Sequence, residues 1–183
     1  MSDNEDFERS IDAYRRMPIF RKAEAILKLV EHIVDGISKE DSDAETPYEL
    51  AMYERHAQYM MQNALLIPAK IASASGVDIY DLRMENATLI RKAAREIITD
   101  TRGLQMAGFK EEEYLDLLRK EIEEFRPLFA EWVKSFDPFN YIIDRWGLFN
   151  PPGVNYDDHD PQDDIPFDPK SFFEDFEDDD QDE

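Results

Sequence analysis

The sequence predicts an all-α protein: an antiparallel, up-down-up-down four-helix bundle followed by an acidic, largely disordered C-terminal tail. Four long segments place apolar residues at alternating spacings of three and four, the pattern of helices that pack on helices. No segment has the apolar-polar alternation of a strand. From Tyr156 to the C-terminus, 14 acidic residues stand against one lysine, a composition that cannot form a packed core.

The chain divides into four parts. Residues 1–17 are predicted as an N-terminal extension or short helix, and residues 18–136 as the four-helix bundle. Residues 137–153 are predicted as an aromatic short helix and linker, and residues 154–183 as the acidic aromatic tail. At 183 residues the chain is long enough for one well-packed domain and short for two.

The first two helices have clear starting signals. Pro18 precedes the first helix, whose predicted core residues are Ala23, Ile26, Val30, Ile33 and Ile37. Thr46-Pro47-Tyr48-Glu49 is a capping box with proline at the first helical position of the second helix. Its core residues follow as Leu50, Tyr53, Ala57, Met60, Ala64, Ile67 and Ile71. Pro68 is expected to kink this helix, and Gly76 to end it.

The third and fourth helices complete the bundle. The third is predicted from about Asp78 to Thr101, ending in a turn at Arg102-Gly103. Its core residues are Ala87, Ile90, Ala94, Ile97, Thr101 and Leu104, with a second apolar line through Leu82, Leu89 and Ala93. The fourth is predicted from about Glu111, with a kink at Pro127. Its core residues are Leu115, Leu118, Ile122, Phe125, Phe129, Trp132 and Phe136.

Two stretches within Ile19 to Phe136 carry a family resemblance. They are Leu66-Ile67-Pro68-Ala69-Lys70-Ile71-Ala72-Ser73 and Gly108-Phe109-Lys110-Glu111-Glu112-Glu113-Tyr114. The chain resembles the four-helix-bundle family first described from intervening sequences in bacterial ribosomal RNA genes. That family includes the accessory protein of diversity-generating retroelements, so the resemblance implies a ring-shaped homo-oligomer that binds a reverse transcriptase and nucleic acid.

The residues that could carry chemistry are sparse, and we predict no enzymatic activity, no cofactor and no metal site. The sequence has no cysteine, which excludes disulfides and thiolate zinc ligands. His32 and His56 lack the Glu-x-x-His spacing of di-iron bundles and are expected at surface or boundary positions. Asp157-Asp158-His159-Asp160 lacks the glycine turn and distal glutamate of a calcium loop, so a solvated acidic run is the favoured interpretation.

One local basic feature stands out in the acidic chain. At 100° per residue, Arg91, Arg95 and Arg102 fall on one face of the third helix, with Lys92 at its flank. The favoured interpretation is a solvated face paired with acidic neighbours. As a functional surface, this stripe could contact RNA phosphates, the acidic surface of a partner, or the protein's own tail.

The tail combines acidic residues with spaced apolar ones. Its predicted partner-binding residues are Ile165, Pro166, Phe167, Phe172, Phe173 and Phe176. So many phenylalanines are unfavourable in a segment that serves only solubility, which indicates a segment that orders on a partner. Asp163-Asp164-Ile165-Pro166-Phe167 also resembles the acidic tip of bacterial single-stranded-DNA-binding proteins.

Two function classes follow from these features. The first is a non-enzymatic oligomeric adaptor whose acidic aromatic tail binds a protein partner, which would be basic. The alternative is an RNA- or DNA-binding accessory protein, of the reverse-transcriptase accessory type, in which the tail gates the arginine stripe. Because the net charge is −22, binding of nucleic acid would need a local basic surface. No apolar run reaches the roughly 20 residues of a membrane span, and we expect a cytoplasmic protein without membrane contact.

Overall fold

The computed structural model describes residues 13–37 and 44–159. A single helical turn at residues 13–15 precedes four long helices. These are α1 (Pro18–Ile37), α2 (Pro47–Ser75), α3 (Tyr80–Met106) and α4 (Glu112–Lys134). The described residues contain no strand, and the predicted all-α class is confirmed.

The predicted core residues form the core. All of them are buried except Leu50 and Phe129, which are half-buried. The second apolar line of α3 is only partly confirmed, because Ala93 is buried, Leu89 half-buried and Leu82 exposed. A spacing of alternating three and four residues therefore located the inner face of every helix.

Helix α1 packs on α2 and α4. Near its start, the Nζ of Lys22 lies 2.9 Å from Glu121 and 2.6 Å from Glu124, near the middle of α4. Near its end, the ring of His32 stacks on Tyr114 at the beginning of α4, with ring centres 4.6 Å apart. These contacts show that α1 and α4 run in opposite directions.

Helix α3 packs on α2 and α4 and runs opposite to both. His56 in the first third of α2 contacts Asp100 in the last third of α3. Arg83 near the start of α3 lies over the ring of Phe136, which follows α4, at 4.4 Å. Of the described helices, none combines the length and apolar composition that a membrane span requires.

The predicted N-cap of α2 is present at Thr46, whereas the second bond of the capping box is made one residue earlier, at Glu45. The backbone N–H of Glu49 donates to the Thr46 hydroxyl at 3.2 Å, and the Glu49 carboxylate accepts from the Glu45 N–H at 2.8 Å. Pro47 occupies the first helical position. Both α2 and α4 continue beyond their internal prolines, Pro68 and Pro127.

The predicted end of the third helix near Thr101 is wrong, because α3 continues to Met106. Arg102-Gly103 is helical and is not a turn. The glycine is needed for packing: a Cβ at Gly103 would lie 2.3 Å from Cε1 of His56. The chain instead turns at Gly108, whose φ of +92° lies in the left-handed region that glycine tolerates.

The short helix predicted within residues 137–153 is also absent. This segment consists of turns and irregular backbone. Pro138 has no N–H to donate, and the carboxylate of Asp144 binds several backbone N–H groups in its own loop. Of the large apolar side chains that the structure describes in this segment, only Ile143 is buried, while Phe139 and Trp146 are exposed.

Candidate interaction surfaces

An exposed apolar surface follows α4, and we call it the aromatic platform. Its side chains are Phe139, Ile142, Trp146, Leu148 and Tyr156. Phe139 and Trp146 are each 90% exposed, although both belong to residue types that are usually well buried. Exposed aromatic side chains of this size are frequent among the residues that contribute most to binding at protein interfaces.

Hydrogen bonds attach the platform to the start of α3. The N–H of Tyr80 donates to the carbonyl of Asn140 at 2.7 Å. The N–H of Ile142 donates to the Asp81 carboxylate at 3.1 Å. Together with the buried side chain of Ile143, these bonds fix where the platform lies on the bundle.

Asp144 organises the middle of the platform. Its Oδ1 accepts from the N–H of Trp146 at 2.8 Å, and its Oδ2 accepts from Leu148 and Phe149 at 2.8 and 2.9 Å. Its own N–H donates to the Asn150 side chain at 2.8 Å. The hydrogen bonds from Phe149, Trp146 and Leu148 stabilise the carboxylate and lower the pKa of Asp144 below its ordinary value.

Arg145 ties the end of the described chain back to the platform. Its guanidinium donates to the carbonyl of Tyr156 at 2.9 Å and to that of Asp158 at 2.7 Å. Gly147, which lies between Arg145 and Tyr156 in the sequence, permits a turn with its φ of +72°. The platform therefore presents its aromatic side chains on a hydrogen-bonded backbone, which reduces the conformational entropy lost on binding.

The predicted basic stripe is only partly brought together. Arg91 and Arg95 line a groove of about 430 Å³ between α3 and α4. Lys92 does not line this groove but shares a second recess on α3 with Arg91 and Arg95, and it pairs with Glu96 at 3.6 Å. Arg102 is seven residues beyond Arg95 and does not line the groove.

The favoured interpretation of the stripe, a face paired with acidic neighbours, holds for Lys92 alone. Within residues 13–37 and 44–159, Arg91, Arg95 and Arg102 have no carboxylate partner, and all three are exposed. The predicted tail residues, Ile165, Pro166, Phe167, Phe172, Phe173 and Phe176, lie outside the described residues.

A polar pair inside the bundle was not predicted from the sequence. The Nδ1 of His56 lies 2.9 Å from the Oδ1 of Asp100, and both side chains are largely buried. Burial raises the pKa of Asp100 and outweighs the lowering effect of His56. The available signal was the position of Asp100 on the inner face of α3, three residues after Ile97 and four before Leu104.

The expected absence of a metal site stays a prediction. Within the described residues, no three side chains of the metal-binding types cluster together. His56 is committed to Asp100, and His32 stacks on Tyr114. Comparisons with protein-family models, with curated proteins and with solved structures found no match to this chain.

Proposed function

We propose that this protein is a non-enzymatic adaptor that binds a basic protein partner through its C-terminal segment. The observation that carries this proposal is the exposure of Phe139 and Trp146, whose backbone N–H groups donate to the carboxylates of Asp137 and Asp144, respectively. Aromatic side chains of this kind provide most of the binding energy at protein interfaces when a partner buries them. The platform would supply the apolar contacts.

The acidic residues that follow the platform favour a basic partner. Asp157 and Asp158 lie next to His159, the last described residue, and residues 160–183 add 12 acidic side chains against Lys170. Charge of one sign next to an apolar surface accelerates association with an oppositely charged partner and disfavours like-charged ones. The tail phenylalanines, such as Phe172 and Phe176, would add anchors beyond the platform.

Photo-crosslinking tests this proposal with an internal control. A photoreactive phenylalanine analogue is placed at position 139 of the full chain, and separately at position 106, since Met106 is 89% exposed at the opposite end of α3. In cells that express the protein naturally, position 139 should crosslink to one or a few basic proteins. Equal crosslinking patterns at the two positions would contradict a specific platform.

Exposed arginines favour a second candidate, an RNA- or DNA-binding accessory protein. Arg91 and Arg95 lie side by side on α3 without a carboxylate partner in the described part of the chain. Phosphate contacts of this kind depend steeply on salt. Binding of an RNA oligonucleotide at low salt that is lost in an Arg91→Glu/Arg95→Glu variant would support this candidate over the adaptor.

Assembly into a homo-oligomer, including a ring, is part of the adaptor proposal. Support comes from apolar side chains on the outer surfaces of the helices, among them Leu65 (51% exposed) and Leu117 (43% exposed). Light scattering of the full chain would give its solution mass. A monomer at all concentrations tested would remove oligomerisation from the proposal and leave the platform unaffected.

A further inference from the structure

We propose that the groove between α3 and α4 binds the acidic, phenylalanine-containing tail of the same chain, at residues 163–177. This intramolecular site is separate from the aromatic platform and goes beyond the adaptor function. It would hold the tail phenylalanines away from an external partner until that partner displaces them.

The groove has an apolar floor. Ile98 and Phe129 are half-buried and face it from the two helices, with Ile122 and Phe125 buried beneath them. Its volume of about 430 Å³ falls within the roughly 300–1,000 Å³ of sites that receive compact ligand groups. The groove is therefore large enough to receive an aromatic side chain.

The rim of the groove is rich in arginine. Arg91 and Arg95 stand on the α3 side and have no carboxylate partner in residues 13–37 and 44–159. On the α4 side, Arg126 pairs with Glu123 at 2.8 Å, and Glu123 is the only carboxylate among the described residues that line the groove. Three guanidinium groups around one carboxylate leave the groove positive in a chain of net charge −22.

The tail matches both properties of the groove. Residues 163–177 carry carboxylates at both ends and phenylalanines between them, namely Phe167, Phe172, Phe173 and Phe176. Arginine and carboxylate groups form charge-assisted and often bidentate hydrogen bonds, and phenylalanine rings pack on one another edge to face or offset. An acidic peptide with aromatic anchors is thus the chemistry that this groove would recognise.

Nucleic acid fits the floor less well. Proteins that hold single-stranded nucleic acid present exposed aromatic rings on which bases stack. Here the ring of Phe125 is buried and that of Phe129 is only half-buried. The floor of the groove therefore suits a side chain that inserts into it better than a base that stacks on an exposed ring.

The tail can reach the groove within one molecule. The described chain ends at His159, close to the end of the bundle where α3 begins, because Arg145 holds Asp158 and Tyr80 binds Asn140. From Tyr80 to Arg91 the axial rise of the helix is about 17 Å. The 24 residues that follow His159 span up to about 80 Å when extended.

Spin-label distance measurements on the full chain test the proposal. The sequence has no cysteine, so Ser171→Cys in the tail and Thr88→Cys on α3 can be labelled without background. Thr88 is exposed, one turn before Arg91, and outside the groove. A docked tail gives a narrow distribution of distances between the two labels.

Charge reversal at the rim should release the tail. We expect Arg91→Glu/Arg95→Glu to replace the narrow distribution with a broad one, and high salt to broaden it in the parent chain. Arg55→Glu, which changes an exposed arginine on α2 outside the groove, is the matched control and should keep the narrow distribution. Unchanged thermal unfolding of the variants verifies that the bundle is intact.

Several results would overturn the proposal. A broad distribution in the parent chain at low salt would show that the tail does not dock. A narrow distribution that survives Arg91→Glu/Arg95→Glu would place the tail elsewhere. A narrow distance distribution that also appears in a mixture of the two singly labelled chains would assign the groove to the tail of a second copy. If the parent distribution is broad and an RNA oligonucleotide binds through Arg91 and Arg95, the occupant is nucleic acid. None of these results affects crosslinking at position 139.

Discussion

At the scale of single residues, the contact between Gly103, His56 and Asp100 explains why α3 is longer than its sequence indicates. The absence of a side chain at Gly103 leaves room for the His56 ring, which hydrogen-bonds to the buried Asp100 carboxyl group. A glycine inside a helix costs about 1 kcal/mol relative to alanine, and the hydrogen bond to a charged partner contributes about 1.5–3 kcal/mol. The packing requirement therefore outweighs the helix propensity.

In a double-mutant cycle, the effect of Gly103→Ala on the free energy of unfolding should change sign when His56 is removed. We expect Gly103→Ala to lower the free energy of unfolding, by about 1–2 kcal/mol, because the new Cβ displaces the His56 ring. In a His56→Ala background the same substitution should raise it, by about 0.5–1 kcal/mol, through helix propensity alone. Chemical denaturation measures both, and equal effects in the two backgrounds would contradict the assigned role of Gly103.

The buried carboxyl group of Asp100 gives a pH dependence that can be isolated. Its pKa in the folded protein is raised above the ordinary 3.8. Between pH 3.8 and this raised pKa, the carboxyl group is ionised in the unfolded chain and still protonated in the folded one. Stability from this group is therefore present below 3.8 and is lost as pH rises through the interval. Relative to the wild type, Asp100→Asn should gain stability as pH rises through that interval. A difference independent of pH would contradict the raised pKa.

Asp144 is expected to hold the platform without supporting the bundle. In Asp144→Ala, the amides of Trp146, Leu148 and Phe149 lose their acceptor and should exchange hydrogen faster, while the amides of α3 keep their protection. Asp157→Ala is the matched control, because Asp157 is exposed and lies in the same segment. Unchanged exchange at Trp146 in Asp144→Ala would show that other contacts hold the loop.

At the scale of elements, the sequence predicts helices better than it predicts their ends. The alternating spacing of three and four identifies the inner faces, and Thr46 with Pro47 identifies the start of α2. The end of α3 escapes prediction because it depends on a tertiary contact with His56. The irregular structure after α4 could not be predicted from the sequence, because the Asp144 carboxylate competes with a helix for backbone N–H groups.

The candidate surfaces could likewise be predicted only as far as they depend on local sequence. The arginine stripe follows from helical geometry alone, but the groove beside it requires knowledge of how α4 lies against α3. The segment that carries the platform was predicted only as an aromatic short helix and linker. Its exposed side chains depend on hydrogen bonds between residues far apart in the chain, such as Ile142 with Asp81.

The ion pairs between α1 and α4 should contribute modestly to the packing of these two helices. Lys22 contacts two carboxylates and is 21% exposed, and hydrogen bonds from its ammonium to Glu124 and Glu121 raise its pKa. We expect Lys22→Met to destabilise the protein by about 1 kcal/mol at low salt and by less at high salt. This contribution is present at neutral pH and disappears as pH rises above 10.5 through the folded pKa.

A control on the same surface separates charge from packing in that measurement. Lys120 is 70% exposed and lies 4.0 Å from Glu124, so Lys120→Met should change the free energy of unfolding by less than about 0.5 kcal/mol. Urea denaturation of both variants gives the comparison. Equal losses from Lys22→Met and Lys120→Met would mean that the contact between α1 and α4 adds nothing specific.

At the scale of the whole molecule, negative charge is concentrated in the C-terminal part of the sequence. Residues 156–183 carry a net charge of −13 out of −22, while Arg91 and Arg95 leave a positive groove on the helical part. An acidic segment and a positive groove in one chain attract each other within the molecule and compete with outside partners. The proposed adaptor function and the proposed docking of the tail both involve the tail phenylalanines, Phe167, Phe172, Phe173 and Phe176.

Binding of a basic protein by the aromatic platform can be tested with a quantitative comparison of affinities. The protein crosslinked at position 139 is purified, and its affinity is measured for the full chain, for Phe139→Ala/Trp146→Ala and for the equally exposed control Met106→Ala. We predict at least about a tenfold loss for the double variant, since buried aromatic anchors dominate interfaces, and no loss for the control. Equal affinity of all three proteins would contradict the platform as the binding surface.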